Sequence, residues 1–347
     1  MAQNKRIQFI DAMRGFTMLL VVFGHIFIYT FQYGEAETMV SSFFITFRMP
    51  MFFFISGYIG YKSIERWTLP FYLSNLRKKA FIQLVPSLFF LFCYKLIHDH
   101  DFIRTVITTG ANIYWFTQVL FEFFFVYFTV SLICNKTSAK LFNLIMITIA
   151  VMTIFILSFC FHPNAVTGVL SLRAFCRYFH FFVLGLLCRK YNDKFLHLIT
   201  QQGMMTFLIT LFFGLFLLMW SHYINVGSLA YRLIHDILIR YAGLLLVFSL
   251  FANHAEYFEQ GGRISRAMQF VGKRTLDIFL LHYFFLPKLG FMAPYFTENQ
   301  NIALEFLLAI TLAFIVLSIS LAFSAIIRHS EFLGHTLFGM KSEKYKF

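Results

Sequence analysis

The sequence contains few charged residues, and this scarcity excludes an ordinary soluble domain. Asp, Glu, Lys and Arg make up only 13% of the 347 residues, whereas they make up about 25% of a typical soluble domain. The longest stretch outside the apolar runs, residues 253–274, has 22 residues. Because that is too short for a second folded unit, we predict a single domain over residues 1–347.

Cysteines are also few, and their spacing is not that of a disulfide framework or a metal site. Each lies in or at the end of an apolar run, where a cysteine serves as a small hydrophobic residue. The sequence HDHD at residues 98–101 has metal-ligating side chains, but no further ligands follow nearby, so we interpret it as a solvated loop. We therefore expect no metal. The five cysteines are Cys93, Cys134, Cys160, Cys176 and Cys188.

What the sequence has in abundance is apolar residues, which make up 59% of the chain and give a mean hydropathy of +0.71. Runs of about 18 or more apolar residues are long enough to cross a bilayer as helices. We therefore predict an all-α integral membrane protein with a single bundle of about ten helices. The ten runs are residues 9–29, 42–61, 80–97, 113–134, 141–161, 174–188, 204–221, 233–252, 275–292 and 302–327.

The distribution of basic residues predicts the orientation of this bundle. With the N-terminus in the cytoplasm, 20 of the 29 Lys and Arg residues fall in inside segments, and the other nine fall in outside loops or within spans. This asymmetry follows the positive-inside rule and predicts that both termini are cytoplasmic. The net charge of +13 is thus mainly a feature of topology. No basic domain interleaved with aromatic residues is present, so we expect no nucleic-acid partner.

The first apolar run carries a cation and an imidazole on one face. Arg14 and His25 are eleven residues apart, which returns to nearly the same side of a helix about 16 Å further along its axis. Charged groups inside a membrane usually face a polar interior and serve function. The alternative is that Arg14 extends to the near headgroups and His25 is a satisfied core histidine.

The next spans add polar side chains toward the outer half of the bundle. Arg48 precedes Pro50 in the second span and should reach the level of His25, unless it extends to the outer interface. In the fourth span Trp115 and Glu122 share one face, and Glu122 must be neutral or paired in mid-bilayer. Trp115 is also compatible with an interfacial anchor.

The later spans extend this pattern. Arg177 and His180 share a face of the sixth span, His235 and Asp236 lie in the eighth, and His282 lies near the middle of the ninth. Asp236 and Arg240 are four residues apart, so the alternative interpretation is an ion pair that neutralises itself. On the cytosolic side, Arg77, Lys78 and Lys79 form a basic cluster that either marks topology or binds a polyphosphate.

These residues, in this order, resemble the membrane acyltransferase 3 family of bacterial integral-membrane O-acyltransferases. Arg14 and His25 in IDAMRGFTMLLVVFGHI match the family's R-x10-H motif. FRMPMFFFISGYI with Arg48, the YWF around Trp115, RYFHFFVLG around Arg177, and VGKRTLDIFLLH ending at His282 extend the resemblance over nearly the whole chain. The fucose 4-O-acetylase-like group, which lacks an extra soluble domain, is the most similar variant.

The resemblance implies transfer of an acyl group, usually acetyl, from cytosolic acyl-CoA to a hydroxyl of an extracytoplasmic or lipid-linked glycan. It implies a multi-pass protein of the bacterial cell membrane, with acetyl-CoA as co-substrate and no permanently bound cofactor. Where the family commonly has a second Arg before Pro86, this chain has Gln83, which puts part of the donor-phosphate site in doubt.

The implied roles agree with the chemistry of the residues. A sugar hydroxyl attacks a thioester poorly without a base, and a neutral His is suited to that task. We expect three groups of site residues. The catalytic group is His25, Arg14 and Arg48; the donor-binding group is Arg77, Lys78 and Lys79; the acceptor-binding group is Trp115, Glu122, Arg177, His180, His235, Asp236 and His282.

Three alternatives are open. A transporter or flippase for an anionic or glycosylated substrate also places charges inside the membrane, but it predicts inverted repeats, which we do not find. The acceptor of an acyltransferase is alternatively the hydroxyl of a lipid or a peptide. An acyl-His intermediate is the alternative to general-base catalysis by His25.

Overall fold

The computed structural model is made of helices joined by turns, and none of the residues that it describes is in a strand. This confirms the predicted all-α membrane class. The structure describes residues 7–34, 36–63, 67–98, 102–109, 112–135, 139–160, 165–221, 229–299 and 301–340.

Eighteen α-helices follow one another along these residues. They are α1 Gln8–His25, α2 Met39–Ile45, α3 Arg48–Gly60, α4 Leu69–His98, α5 Phe102–Thr109, α6 Trp115–Ile133, α7 Ala139–Phe155, α8 Ala165–Val169, α9 Leu172–Lys190, α10 Asn192–Ile199, α11 Met204–Trp220, α12 Leu229–Asn253, α13 Ala255–Glu259, α14 Arg263–Lys273, α15 Thr275–Leu281, α16 Ala293–Asn299, α17 Ile302–His329 and α18 Glu331–Phe338. Ile26–Phe31 and Ile156–Cys160 are π-helical, and Asn112–Tyr114, His282–Phe285 and Gly290–Met292 are 3₁₀ turns.

Seven helices in the described part of the chain are long and apolar enough to cross a membrane. Two bent pairs, Asn192–Ile199 with Met204–Trp220 and Thr275–Phe285 with Gly290–Glu298, raise the number to nine if each pair is one span. The predicted count of ten is therefore not confirmed. The missing span is α9, which is helical but contains Arg173, Arg177, Arg189 and Lys190 and so is less apolar than the others. The location of the termini stays a prediction.

The chain divides into two compact units, and each is described by itself. Unit 1 comprises Met1–Phe52 and Tyr191–Leu321, and unit 2 comprises Phe53–Lys190 and Ala322–Phe347. The expectation of a single domain stays a prediction.

In unit 1, α1 and α14 approach so closely that only glycine fits at the contact. A Cβ atom on Gly15 would lie 2.0 Å from the backbone oxygen of Met268, and one on Gly272 would lie 1.8 Å from that of Asp11. Because backbone atoms cannot move aside, these two glycines determine how near α14 comes to α1. The helix α15 follows directly after α14.

In unit 2, aromatic side chains fill the space between α3, α6 and α9. Phe123 is fully buried, and its ring packs against those of Phe53, Phe175, Phe179 and Phe182. Gly57 and Gly185 let the backbones of α3 and α9 meet, since a Cβ on either would lie 2.1 Å from a backbone oxygen of the opposite helix. The 51 phenylalanines of the sequence are thus in part a packing material of this kind.

Candidate active site

Arg14 lies where α1 passes the start of α15. Its Nη2 donates a hydrogen bond to Thr275 Oγ1 at 2.9 Å, and its Nη1 lies 3.7 Å from Asp11 Oδ1. Asp11 is buried, whereas 28% of the Arg14 side chain is exposed. Arg14 is therefore held by neighbours on both α1 and α15 while part of its side chain remains exposed.

His25 ends α1 and contacts His282, the first residue of the 3₁₀ turn that follows α15. His25 Nδ1 and His282 Nε2 are 2.7 Å apart, the ring planes differ by 8°, and the ring centroids are 4.9 Å apart. Since the centroid distance is close to the nitrogen–nitrogen distance plus the two ring radii, the imidazoles lie edge to edge in nearly one plane. His282 is fully buried, and its Nδ1 lies 2.9 Å from the carbonyl oxygen of Ile278.

Two tyrosines surround the other side of His25. The Tyr283 hydroxyl lies 3.5 Å from His25 Nε2, and the ring of Tyr29 packs edge-on against both His25 and Tyr283. Tyr283 is buried, whereas Tyr29 is only half-buried. The Nε2 atom of His25 thus lies on the side of the Tyr283 hydroxyl, and the rings of Tyr29 and Tyr283 pack against the imidazole.

Arg48 also lies against α1, close to His25. A Cβ atom on Gly24 would lie 1.2 Å from Arg48 Nη1, so the guanidinium occupies the space that a side chain at position 24 would fill. Arg48 is only 4% exposed, so it does not extend to the outer interface. The structure therefore places Arg48 beside the residue that precedes His25.

The backbone after His25 changes from α- to π-helical. The π-helical turn Ile26–Phe31 ends at Gln32, which has a left-handed conformation with φ of 64°. The carbonyl of Thr30 accepts a hydrogen bond from the backbone N–H of Leu289 at 2.8 Å. Such π-helical turns occur often at functional sites, and here one joins the end of α1 to the segment that follows Tyr283.

The other predicted residues of unit 1 make contacts of a structural kind. His235 Nε2 lies 2.9 Å from the carbonyl oxygen of Leu215, a bond that links α12 to α11. Asp236 and Arg240 form an ion pair at 2.8 Å, as the alternative interpretation from their spacing expected. His235 and Asp236 are thus engaged away from the two-histidine contact.

In unit 2, Trp115 belongs to an aromatic group and Glu122 to a polar one. The ring of Trp115 packs against those of Tyr178 and Phe53. Glu122 Oε1 accepts a hydrogen bond from Gln118 Nε2 at 3.1 Å. Its buried Oε2 has no hydrogen-bond partner among the residues that the structure describes. Arg177 is half-buried and His180 is buried in α9.

The basic cluster lies near the start of α4. Arg77 and Lys78 are exposed, whereas Lys79 Nζ lies 3.6 Å from the centroid of the Phe124 ring. Gln83, one turn further along, is buried, and no described residue offers its Oε1 a hydrogen bond. Of the segment at residues 98–101, only His98 is described, and its Nδ1 lies 3.1 Å from the Tyr94 carbonyl oxygen.

The structure therefore brings Arg14, Arg48, His25 and His282 onto α1 and its neighbours in unit 1. Trp115, Glu122, Arg177, His180 and the basic cluster belong to unit 2. Sequence reasoning missed Thr275 and Tyr283. The sequence does contain a signal for Thr275. It precedes His282 by seven residues and so shares a helix face with it, as Arg14 does with His25.

Comparison with known families agrees with this arrangement. A family model described as an acyltransferase domain, Acyl_transf_3, matches residues 7–329. The chain belongs to the acyltransferase 3 family. It is accordingly a multi-pass membrane acyltransferase. No curated protein and no solved structure matches the chain.

Proposed function

We propose that this acyltransferase moves an acyl group, most simply acetyl, from cytosolic acyl-CoA to a hydroxyl of an extracytoplasmic or lipid-linked glycan. The single observation that carries the proposal is the edge-to-edge contact of His25 with His282, which leaves the second ring nitrogen of His25, near the Tyr283 hydroxyl, to act as a base. A base held in this way is what an alcohol nucleophile requires.

In the proposed step, His25 acts as general base. The acceptor O–H bond breaks as its proton passes to His25 Nε2, and the oxygen forms a bond to the thioester carbonyl carbon. The carbon–sulfur bond then breaks, and the CoA thiolate leaves with the proton returned from His25. The products are an ester and free CoA, and the enzyme ends in its starting protonation state.

Two arginines complete the chemistry. Arg48, buried beside Gly24, is proposed to stabilise the negative charge that develops on the thioester oxygen. Arg14, part-exposed and held by Thr275, is suited to contact the phosphate or pantetheine portion of the donor. Arg77, Lys78 and Lys79 are proposed to attract the donor phosphates from the cytosol.

The acceptor site is proposed to use polar and aromatic groups toward the outside. Glu122 Oε2, to which no described residue donates a hydrogen bond, is proposed to bind a sugar hydroxyl, and Trp115 is proposed to stack on a sugar ring. Arg177, His180, His235 and Asp236 stay proposals for the same role, and His235 is the weakest because Leu215 already occupies its Nε2. The fucose 4-O-acetylase-like group and the bacterial cell membrane as location stay predictions.

The test uses purified protein in nanodiscs with acetyl-labelled acetyl-CoA and glycan acceptors. We expect His25→Ala to lower the rate of transfer by at least about 10²-fold, the usual contribution of a general base. His335→Ala is the matched control, because His335 is also buried and hydrogen-bonded, to the Met340 carbonyl, but lies in α18 of unit 2. Full activity of a folded His25→Ala protein would reject the mechanism.

The same preparation distinguishes the alternative functions. A flippase would give no transfer but would show counterflow of labelled substrate in liposomes. An acyltransferase for a lipid or peptide would release free CoA with those acceptors and not with glycans. Acetyl label that stays on the protein in the absence of acceptor, and is lost in His25→Ala, would favour the acyl-His intermediate.

A further inference from the structure

The proton positions on the two histidines follow from their partners. A carbonyl oxygen only accepts hydrogen bonds, so the contact of His282 Nδ1 with the Ile278 carbonyl, at 2.9 Å, requires the proton on Nδ1. The Nε2 atom of neutral His282 then carries a lone pair. His25 Nδ1, 2.7 Å away, must therefore be the donor, and His25 Nε2 is left as the basic nitrogen.

We propose that His282 is a positioning residue that fixes the tautomer and ring orientation of His25, so that Nε2 is the base and the acceptor hydroxyl binds beside Tyr283. This inference rests on the proposed function. It assigns to His282 a different role from acceptor binding, because both ring nitrogens of His282 are already engaged.

The geometry supports a strong orienting effect. The planes of the two imidazoles differ by only 8°, so the N–H of His25 points along the plane of the ring toward the lone pair of His282. A rotation of His25 about its χ2 angle breaks this bond. His282 itself is fully buried and is tied to the backbone one turn earlier, so it cannot follow such a rotation.

The neutral form of both rings fits their surroundings. Their described hydrogen bonds go to each other, to the backbone of Ile278 and Phe279 and to the Tyr283 hydroxyl, and none goes to a carboxylate. The nearby Arg48 is itself a cation. A second positive charge on His282 would be buried without a counter-ion at either ring, which is costly. A protonated His282 would also donate from both nitrogens and would force the proton of His25 onto Nε2.

The first test compares substitutions at His282. We expect His282→Ala to lower kcat by about 10²-fold with little change in the KM for acetyl-CoA, because the misplaced tautomer removes the general base. His282→Gln should recover much of this loss, since its side-chain oxygen can accept from His25 Nδ1. Wild-type kcat in a folded His282→Ala protein would overturn the proposal.

The second test fixes the tautomer covalently. Nδ-methylhistidine has its lone pair permanently on Nε2, so His25→Nδ-methylhistidine in the His282→Ala background should raise kcat at least about tenfold over His282→Ala alone. In the wild-type background the same methyl group collides with His282 and should inactivate. Nε-methylhistidine is the control and should restore nothing. The proposal requires that only the form with a free Nε2 lone pair regains turnover. Equal activity with both methylated forms would therefore overturn it.

A third measurement does not depend on turnover or on any variant of His282. In ¹⁵N-histidine-labelled protein, the two imidazole nitrogens have different shifts when protonated and unprotonated, and His25→Asn identifies the resonances of His25 among the 12 histidines. We expect a protonated Nδ1 and an unprotonated Nε2. A protonated Nε2 would overturn the inference. If the wild-type protein transfers no acyl group, the proposed function fails, and this readout still tests the tautomer.

Discussion

At the scale of single residues, Gly24 has a functional reason to be glycine. Its position leaves the space that the guanidinium of Arg48 occupies, 1.2 Å from where a Cβ would be. The colliding atom is the end of a flexible side chain and not backbone, so a methyl group here displaces Arg48 without separating helices. Changes at Gly24 should therefore separate activity from stability.

We predict that Gly24→Ala lowers kcat by about 10²-fold, the cost of losing one oxyanion-stabilising donor, with a small change in Tm. The matched control is Gly214→Ala in α11, where a Cβ meets nothing within 4 Å. That substitution should leave kcat unchanged and should add up to about 1 kcal/mol of stability, as alanine does in a helix. Unchanged transfer by Gly24→Ala would argue against a catalytic role for Arg48.

Tyr33 belongs to a second buried polar group in unit 1. Its hydroxyl donates to Glu305 Oε1 at 2.5 Å, and Thr38 Oγ1 donates to the same oxygen at 2.6 Å. Burial, and then the hydrogen bond to Glu305, raise the pKa of the Tyr33 hydroxyl well above its usual value. Tyr33 is therefore a protonated donor at neutral pH.

We predict that Tyr33→Phe costs about 1–3 kcal/mol of stability by leaving Glu305 short of a donor. Because the pKa is raised in the folded state, the wild-type contribution is complete below about pH 10, the pKa of an unperturbed tyrosine, and decreases above it. Thermal unfolding of both proteins should give a smaller difference in Tm above pH 10 than at pH 8. A difference that grows with pH would contradict this assignment.

At the scale of elements, the contact of α1 with α14 determines where Arg14 lies. Gly272 approaches the backbone of Asp11, and three residues later α15 begins with Thr275, the hydrogen-bond partner of Arg14. Arg14 meets Thr275 and His25 meets His282, so α1 and α15 run in the same direction. This agrees with the predicted topology, in which the first and ninth spans both run outward.

We predict that Gly272→Ala lowers both Tm and kcat, in contrast to Gly24→Ala. The added Cβ would lie 1.8 Å from a backbone oxygen, so α14 must move away from α1 and carry Thr275 from Arg14. Gly262→Ala at the start of α14 is the control, because its nearest neighbour would be 3.9 Å away. Detergent-solubilised protein assayed for unfolding and for transfer distinguishes the two effects. A normal Tm in Gly272→Ala would mean that the helices tolerate the shift.

Several features of these elements were predictable from the sequence, and others were not. The shared face of Arg14 and His25 follows from helical periodicity alone, and the self-neutralising Asp236–Arg240 pair follows from its spacing of four residues. The His25–His282 contact joins residues 257 positions apart. No local pattern specifies which helices become neighbours, so His282 was expected near the site but not as the partner of His25.

At the scale of the whole molecule, the number of spans depends on α9. Seven helices of the described chain, together with two bent pairs if each pair is one span, account for nine spans, and α9 is the tenth that hydropathy expected. With 19 residues it is long enough to cross a bilayer, although its cations make it less apolar. If α9 crosses, the count is even and both termini share one side; if it does not, the termini lie on opposite sides.

We predict that α9 crosses the membrane, because Arg189 and Lys190 at its end match the positive-inside rule. In a cysteine-free background, Leu170→Cys should react with a membrane-impermeant maleimide from outside in right-side-out vesicles, and Asp193→Cys should react only after the vesicles are opened. Both positions are exposed, so each is accessible to the reagent on its own side. Labelling of both from one side would place α9 along the surface and would move the C-terminus to the opposite face.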